Sequence, residues 1–112
     1  MKHIIAIIRP EKLDDVRHAL EKAGCSGLMI SEISGHGKQK GVVQQWRGEK
    51  YKVDLIPKIK LEVMIKDSEL GMIKKTIMEN ARTGEIGDGK MFISTVDEVV
   101  RIRTGEEGEI AL

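Results

Sequence analysis

The chain has 112 residues, one cysteine, three aromatic residues and a formal net charge of +1. That length predicts a single domain, and with only Trp46, Tyr51 and Phe92 as aromatics its core is aliphatic. The near-neutral balance gives no bulk electrostatic drive toward nucleic acid or a membrane, the lone Cys25 excludes an internal disulfide and fits a reducing compartment, and the lack of a long apolar run or leader pattern predicts a cytoplasmic protein.

Ile4 to Ile8 is a continuous apolar run of strand length and reads as a strand buried on both faces. Pro10 ends it and suits the start of a helix whose apolar positions are Leu13, Val16, Leu20 and Ala23; Gly24 suits that helix's C-terminal cap. Leu28 to Ile33 reads as a second strand. Ile59, Leu61, Val63 and Ile65 alternate with Lys60, Glu62, Met64 and Lys66, the period of two of a half-buried strand. Asp67 and Ser68 offer N-caps to a second helix with Leu70, Ile73, Ile77 and Ala81 on its apolar face. Met91 to Val96 reads as a fourth strand, and Val99 to Arg103 as extended again. The order βαββαβ predicts an α+β, ferredoxin-like sandwich with two helices on one face of a four-stranded sheet. Strands this apolar need cover on the other face, which predicts a homo-oligomer.

Residues 37–56 show neither helical nor strand period, and a long structureless insertion in a compact domain is usually functional or disordered. The segment from Gly35 to Lys58 carries a net charge of +4, against −3 for the rest of the chain. Its centre holds Trp46, Arg47 and Tyr51, residue types that dominate protein–protein contacts. The competing reading is a long β-hairpin packed on its own body.

The most informative stretch is Thr83-Gly84-Glu85-Ile86-Gly87-Asp88-Gly89-Lys90. Glycines let main-chain N–H groups approach a ligand closely, successive N–H groups form an anion-binding concavity, and Lys90 adds a charge suited to phosphate. The stretch is not a P-loop, because its spacing differs and a strand follows it. An ordinary glycine-rich turn is the competing reading. An enzyme such as a phosphotransferase or ATPase is the rival from another class, but His3, His18 and His36 lie on different elements, and no nucleophile–base pair is recognisable. An RNA-binding module would want surface aromatics on the central strands, and those are almost absent.

Six segments together resemble the PII family of nitrogen-signalling proteins: Ile7 to Arg17, Gly35 to Gly41, Trp46 to Tyr51, Leu55 to Lys58, Thr83 to Lys90 and Arg101 to Glu106. The resemblance spans the whole chain as one domain, residues 1–112. It implies a long partner-binding loop at 37–56, a phosphate-binding loop at 82–90 and a C-terminal segment at 101–112. It also implies a homotrimer of ferredoxin-like subunits that binds ATP or ADP in the clefts between copies and is not an enzyme. On that resemblance the nucleotide falls to Ile7, Met29, Gly35, Gly37, Lys38, Gln39, Met64, Gly87, Asp88, Gly89 and Lys90, with Arg101 and Arg103 from the next copy. Two arginines at i and i+2 on one strand face would converge on a polyphosphate.

The same resemblance assigns 2-oxoglutarate, bound with Mg-ATP, to Gln39, Lys40, Gly41 and Lys58, and Mg²⁺ to the Gln39 side chain. It implies control of a membrane ammonium transporter through Trp46, Arg47 and Tyr51, with Arg47 plugging the exit and the protein reversibly membrane-associated. Nitrogenase or another nitrogen-assimilation enzyme is the alternative target. Tyr51 stands where many bacterial members are uridylylated, but here the motif reads Trp46-Arg47-Gly48-Glu49-Lys50-Tyr51; Met29 replaces a frequent threonine.

Overall fold

The computed structural model describes residues 1–25, 27–36, 42–46, 49–53 and 55–112, with residues 36, 42–46 and 49–53 described by their backbone alone. Strand β1 (Lys2–Ile8) buries Ile4, Ala6 and Ile8 fully, while Ile5 and Ile7 are only half-buried. The expectation of a strand buried on both faces is therefore corrected: both helices cover the same face of the sheet. A 3-10 turn, Pro10–Lys12, runs directly into helix α1 (Leu13–Lys22). Val16 and Leu20 are its buried stripe.

Gly24, at φ 84, ends α1 as its composition predicted. The Gly24 N–H donates to the Glu21 carbonyl at 3.0 Å and the Cys25 N–H to the Leu20 carbonyl at 2.9 Å, which satisfies two of the carbonyls that a helix end leaves unpaired. Strand β2 (Met29–His36) is longer than the apolar run that announced it. Two strands follow within the long insertion, β3 (Val42–Trp46) and β4 (Glu49–Val53). Among the described residues they pair only with each other, in the register Val42↔Val53 to Trp46↔Glu49. The reading of 37–56 as structureless is thus corrected for these ten positions.

Strand β5 (Leu55–Ile65) starts four residues before its alternating core, because its first turns of chain pair with the far end of β2, Gly35↔Ile56 and His36↔Leu55. Helix α2 (Leu70–Ala81) follows a 3-10 turn, Asp67–Glu69. The expected caps at Asp67 and Ser68 are corrected here. The Glu69 carboxylate reaches back to accept the Lys66 N–H at 3.0 Å, and the Asp67 carboxylate instead accepts the amino-terminal ammonium of Met1 at 2.9 Å. Strand β6 (Lys90–Thr95) completes the sheet.

The sheet order is β2-β5-β1-β6, all neighbours antiparallel. With both helices on one face this is the ferredoxin-like arrangement that the order βαββαβ predicted. Ile4, Leu20, Leu61, Ile73 and Ile77 fill the layer between sheet and helices. The opposite face presents His3, Ile5 and Ile7 from β1, Lys60, Glu62 and Met64 from β5, Met29 from β2, and Lys90 and Phe92 from β6, because residues paired across strands point the same way. On it, His3 Nε2 lies 3.1 Å from Glu62 Oε1.

Beyond β6 the expected extended segment Val99 to Arg103 is also corrected. Val100 makes one isolated bridge to Glu107, and the chain between them is a turn. Gly105, at φ 73, closes it: its N–H donates to the Arg101 carbonyl at 2.8 Å, and the Arg101 N–H donates to the Glu106 carbonyl at 2.8 Å. Arg101 and Arg103 therefore do not share a strand face.

Candidate functional site: the glycine loop at the end of the sheet

The loop between α2 and β6 holds three glycines at positive φ: Gly84 at 91, Gly87 at 104 and Gly89 at 97. Side-chain-bearing residues rarely adopt such values. At Gly89 the requirement is also steric, because a Cβ there would be driven into the carbonyl of Ile7 on β1. The loop thus lies directly on the end of the central strand, where Ile7 pairs with Lys90.

Asp88 organises the loop from within. Its carboxylate accepts the Thr83 N–H at 2.9 Å, the Gly84 N–H at 2.8 Å and the Thr83 hydroxyl at 2.5 Å. It also accepts Arg9 Nε at 3.0 Å. The Thr83 hydroxyl and the Arg9 guanidinium, with those backbone donors, hold its pKa far below the usual carboxylate range. Arg9 donates a second time, from Nη2 to the Ile86 carbonyl at 2.9 Å. Lys58 on β5 sends its ammonium to the Gly87 carbonyl. Lys58 as a residue is 8% exposed, and burial, then the nearby Arg9, push the pKa of its ammonium down.

The sequence-derived site residues distribute as follows. Gly87, Asp88, Gly89 and Lys90 lie on this loop, with Ile7 and Lys58 beside it. Gly35 lies on β2 with the Lys58 stem 3.9 Å from where its Cβ would be. A depression of about 370 Å³ opens next to the loop; Ile7, Gly89 and Lys90 line it together with Met78, Arg82 and Met91. Asp88 has its carboxylate turned into the loop, so what it can offer an anion is its main-chain N–H.

Met64 and Met29 share the open sheet face with Ile7 but not its position. Met64 pairs with His3, four residues along β1 from Ile7, or about 13 Å at strand rise. Met29 pairs with Glu62 and is 48% exposed. Arg101 and Arg103 belong to a segment that leaves β6 at the other end of the sheet, where the Val96 N–H meets the Met1 carbonyl. Arg101 is engaged there with Glu106 at 2.9 Å and with the Ile110 carbonyl at 2.9 Å. Within one chain these four residues are not brought to the loop.

Gly37, Lys38, Gln39, Lys40, Gly41 and Arg47 lie outside the described residues. The backbones of Trp46 and Tyr51 lie on β3 and β4. The sequence reading missed Arg9, the residue that ties the loop to β1. The only local signal was a basic residue held extended by the following Pro10; its partners are nearly eighty positions away.

Among the described residues no helix is long and apolar enough to cross a membrane. The model of the family described as "Nitrogen regulatory protein P-II" matches residues 1–106. "Nitrogen regulatory protein P-II 2" of Methanothermobacter thermautotrophicus is 54% identical over 112 residues, covering all of this chain and 97% of that protein. "Nitrogen regulatory protein P-II" of Pasteurella multocida is 49% identical and that of Microchaete diplosiphon 50%, each covering both chains in full. A match of this extent, on a ferredoxin-like sheet with the glycine loop at its end, places the chain in the P-II family of nitrogen regulatory proteins.

Proposed function

We propose that this protein is a nitrogen-status sensor that binds ATP or ADP and 2-oxoglutarate and acts on its targets by direct binding. The observation that carries the reading is the pinned glycine loop, whose Gly89 leaves no room for a side chain and which ends on Lys90. Main-chain N–H groups of Gly87, Asp88 and Gly89, with the Lys90 ammonium, suit a polyphosphate.

The active form is a homotrimer. Its adjacent copies cover the open sheet face of Ile5, Ile7, Met64 and Phe92, and bring Arg101 and Arg103 to a neighbour's loop. Gly35, Gly37, Lys38 and Gln39 close the site from the base of the 37–56 arm. Gln39 would supply an oxygen to Mg²⁺, which prefers oxygen ligands. Gln39, Lys40, Gly41 and Lys58 would hold the dicarboxylate. The Lys58 ammonium has three donors, so it can keep the Gly87 carbonyl and still meet a carboxylate. The arm, through Trp46, Arg47 and Tyr51, closes the cytoplasmic exit of an ammonium transporter when 2-oxoglutarate is low. A ligand moves the arm only by binding one arm conformation better than another.

Titration calorimetry with ATP, ADP and 2-oxoglutarate tests this. ATP and ADP should compete, Lys90→Ala should weaken both without changing the oligomer, and 2-oxoglutarate should bind only with Mg-ATP. No nucleotide binding by the wild-type protein would overturn the reading. An ammonium-uptake assay with the cognate transporter tests the target. Full inhibition by the Arg47→Ala protein would overturn the plug and point to a nitrogen-assimilation enzyme instead.

A further inference from the structure

We infer that Arg9 is a positioning residue for phosphate binding: paired with Lys58, it fixes the direction of the loop's N–H groups without touching the ligand. The inference rests on the nucleotide reading above. It begins from two carbonyls. That of Ile86 is held by Arg9 Nη2 at 2.9 Å, and that of the next residue, Gly87, by the Lys58 ammonium.

Among the described residues there is no cis peptide, and in a trans peptide the C=O and the following N–H point in opposite directions. Drawing the Ile86 carbonyl toward Arg9 turns the Gly87 N–H away from it. Drawing the Gly87 carbonyl toward Lys58 turns the Asp88 N–H away likewise. Two cations below the loop thus aim two consecutive donors to its far side. Glycine at position 87, at φ 104, is what lets successive peptide planes take up this relation.

Arg9 does more than pull one carbonyl. Its Nε also binds Asp88 Oδ1 at 3.0 Å, and Asp88 holds Thr83 and Gly84. One planar guanidinium therefore spans the start and the middle of the loop through two donors in fixed relation, which a lysine cannot do. Arg9 is placed for this by β1: Ile8 points into the core, so the next residue emerges on the open side, and Pro10 holds it extended at φ −65, ψ 141. Its side chain is 16% exposed, so its charge is spent on the loop rather than offered to solvent.

The test compares ATP, ADP and adenosine binding in the wild-type, Arg9→Ala and Arg9→Lys proteins, with oligomer mass and thermal midpoint as folding controls. Arg9→Ala should weaken ATP and ADP by roughly tenfold or more, the scale of loss from misaligned donors, and leave adenosine within about twofold. Arg9→Lys, which keeps the charge and most of the fold but not the fork, should recover only part of the loss. In the ligand-free proteins the ¹⁵N amide signals of Gly87 and Asp88 should shift in both variants. Unchanged ATP affinity in Arg9→Ala, an equal loss for adenosine, or full recovery in Arg9→Lys would overturn the inference. A wild-type protein that binds no nucleotide, while those amide signals still respond to Arg9→Ala, would sink the sensor reading and leave the clamp standing.

Discussion

The loop at residues 83–89, flanked by Arg82 and Lys90, and the turn at residues 101–106, which contains Arg101 and Arg103, are both short and glycine-bearing, yet they are held in different ways. The first is fastened from three directions: Arg9 at the end of β1, Lys58 on β5, and its own Asp88. Among the described residues the second is fastened locally, Arg101 to Glu106 and to the Ile110 carbonyl, and Thr104 to Glu106 at 2.8 Å. Ile102, between the two arginines, is fully exposed. Contacts between distant segments fix a shape before any ligand arrives, whereas local contacts fix only a turn. On the trimer reading, one half of each nucleotide cleft is thus finished within a chain and the other half is completed by assembly.

Glycine substitution gives the largest separation between the two. Gly89→Ala forces a Cβ against the Ile7 backbone at φ 97 and should destabilise the fold by about 3 kcal/mol or more in denaturant titration. Gly105→Ala, at φ 73 with open space around it, should cost only about 1 kcal/mol. Equal effects would erase the distinction.

Lys58→Met comes next. Burial and Arg9 lower the pKa of Lys58 in the folded chain below its unfolded value. The unfolded state then binds more protons between those two values, so stability rises with pH across that window, and the charge is a cost at neutral pH. The substitution should leave the thermal midpoint unchanged or raised while nucleotide affinity falls several-fold. A large drop in stability would show that the loop contact outweighs the desolvation.

Asp88 sharpens the contrast through acid. Its folded pKa is depressed, so its contribution is present above the unfolded value of about 3.9 and is lost only as pH falls toward the folded value. Amide signals of Thr83 and Gly84 should therefore hold steady as the pH drops from 7 to about 4. A midpoint near that ordinary value would mean the carboxylate is not held as described. The smallest effect concerns Cys25. Burial, then Glu69, raise its thiol pKa, so native protein should react with iodoacetamide at least about tenfold slower than unfolded protein.

Much of this fold is legible in the residues because burial imprints a period. The alternation of Ile59, Leu61, Val63 and Ile65, and the spacing of Ile73, Ile77 and Ala81, report the face each turns to the core. Among the described residues, strands β3 and β4 pair with one another and stand outside the four-stranded sheet whose burial writes the period. The turn at 101–106 was readable from Thr104-Gly105, a turn pair that the apolar residues around it outweighed. Of the candidate site, the glycines and Lys90 declared themselves by type and spacing. Arg9 did not, because its role is made by a contact across most of the chain, and no local pattern encodes that. Arg101 and Arg103 declared their chemistry but not their place, since a turn rather than a strand carries them.

The contact between Gly89 and the Ile7 carbonyl also has a consequence for how the gene can vary. Every single-base change in a glycine codon that alters the amino acid yields alanine, valine, serine, cysteine, arginine, aspartate, glutamate, tryptophan or a stop. All of those residues carry a Cβ. Position 89 therefore has no one-step neighbour that fits against β1. Gly84, which has the same kind of backbone but open space beside it, can be crossed at the cost of backbone strain alone. Two glycines of one loop, five residues apart, thus stand under different mutational constraint, set by whether a strand lies beneath them.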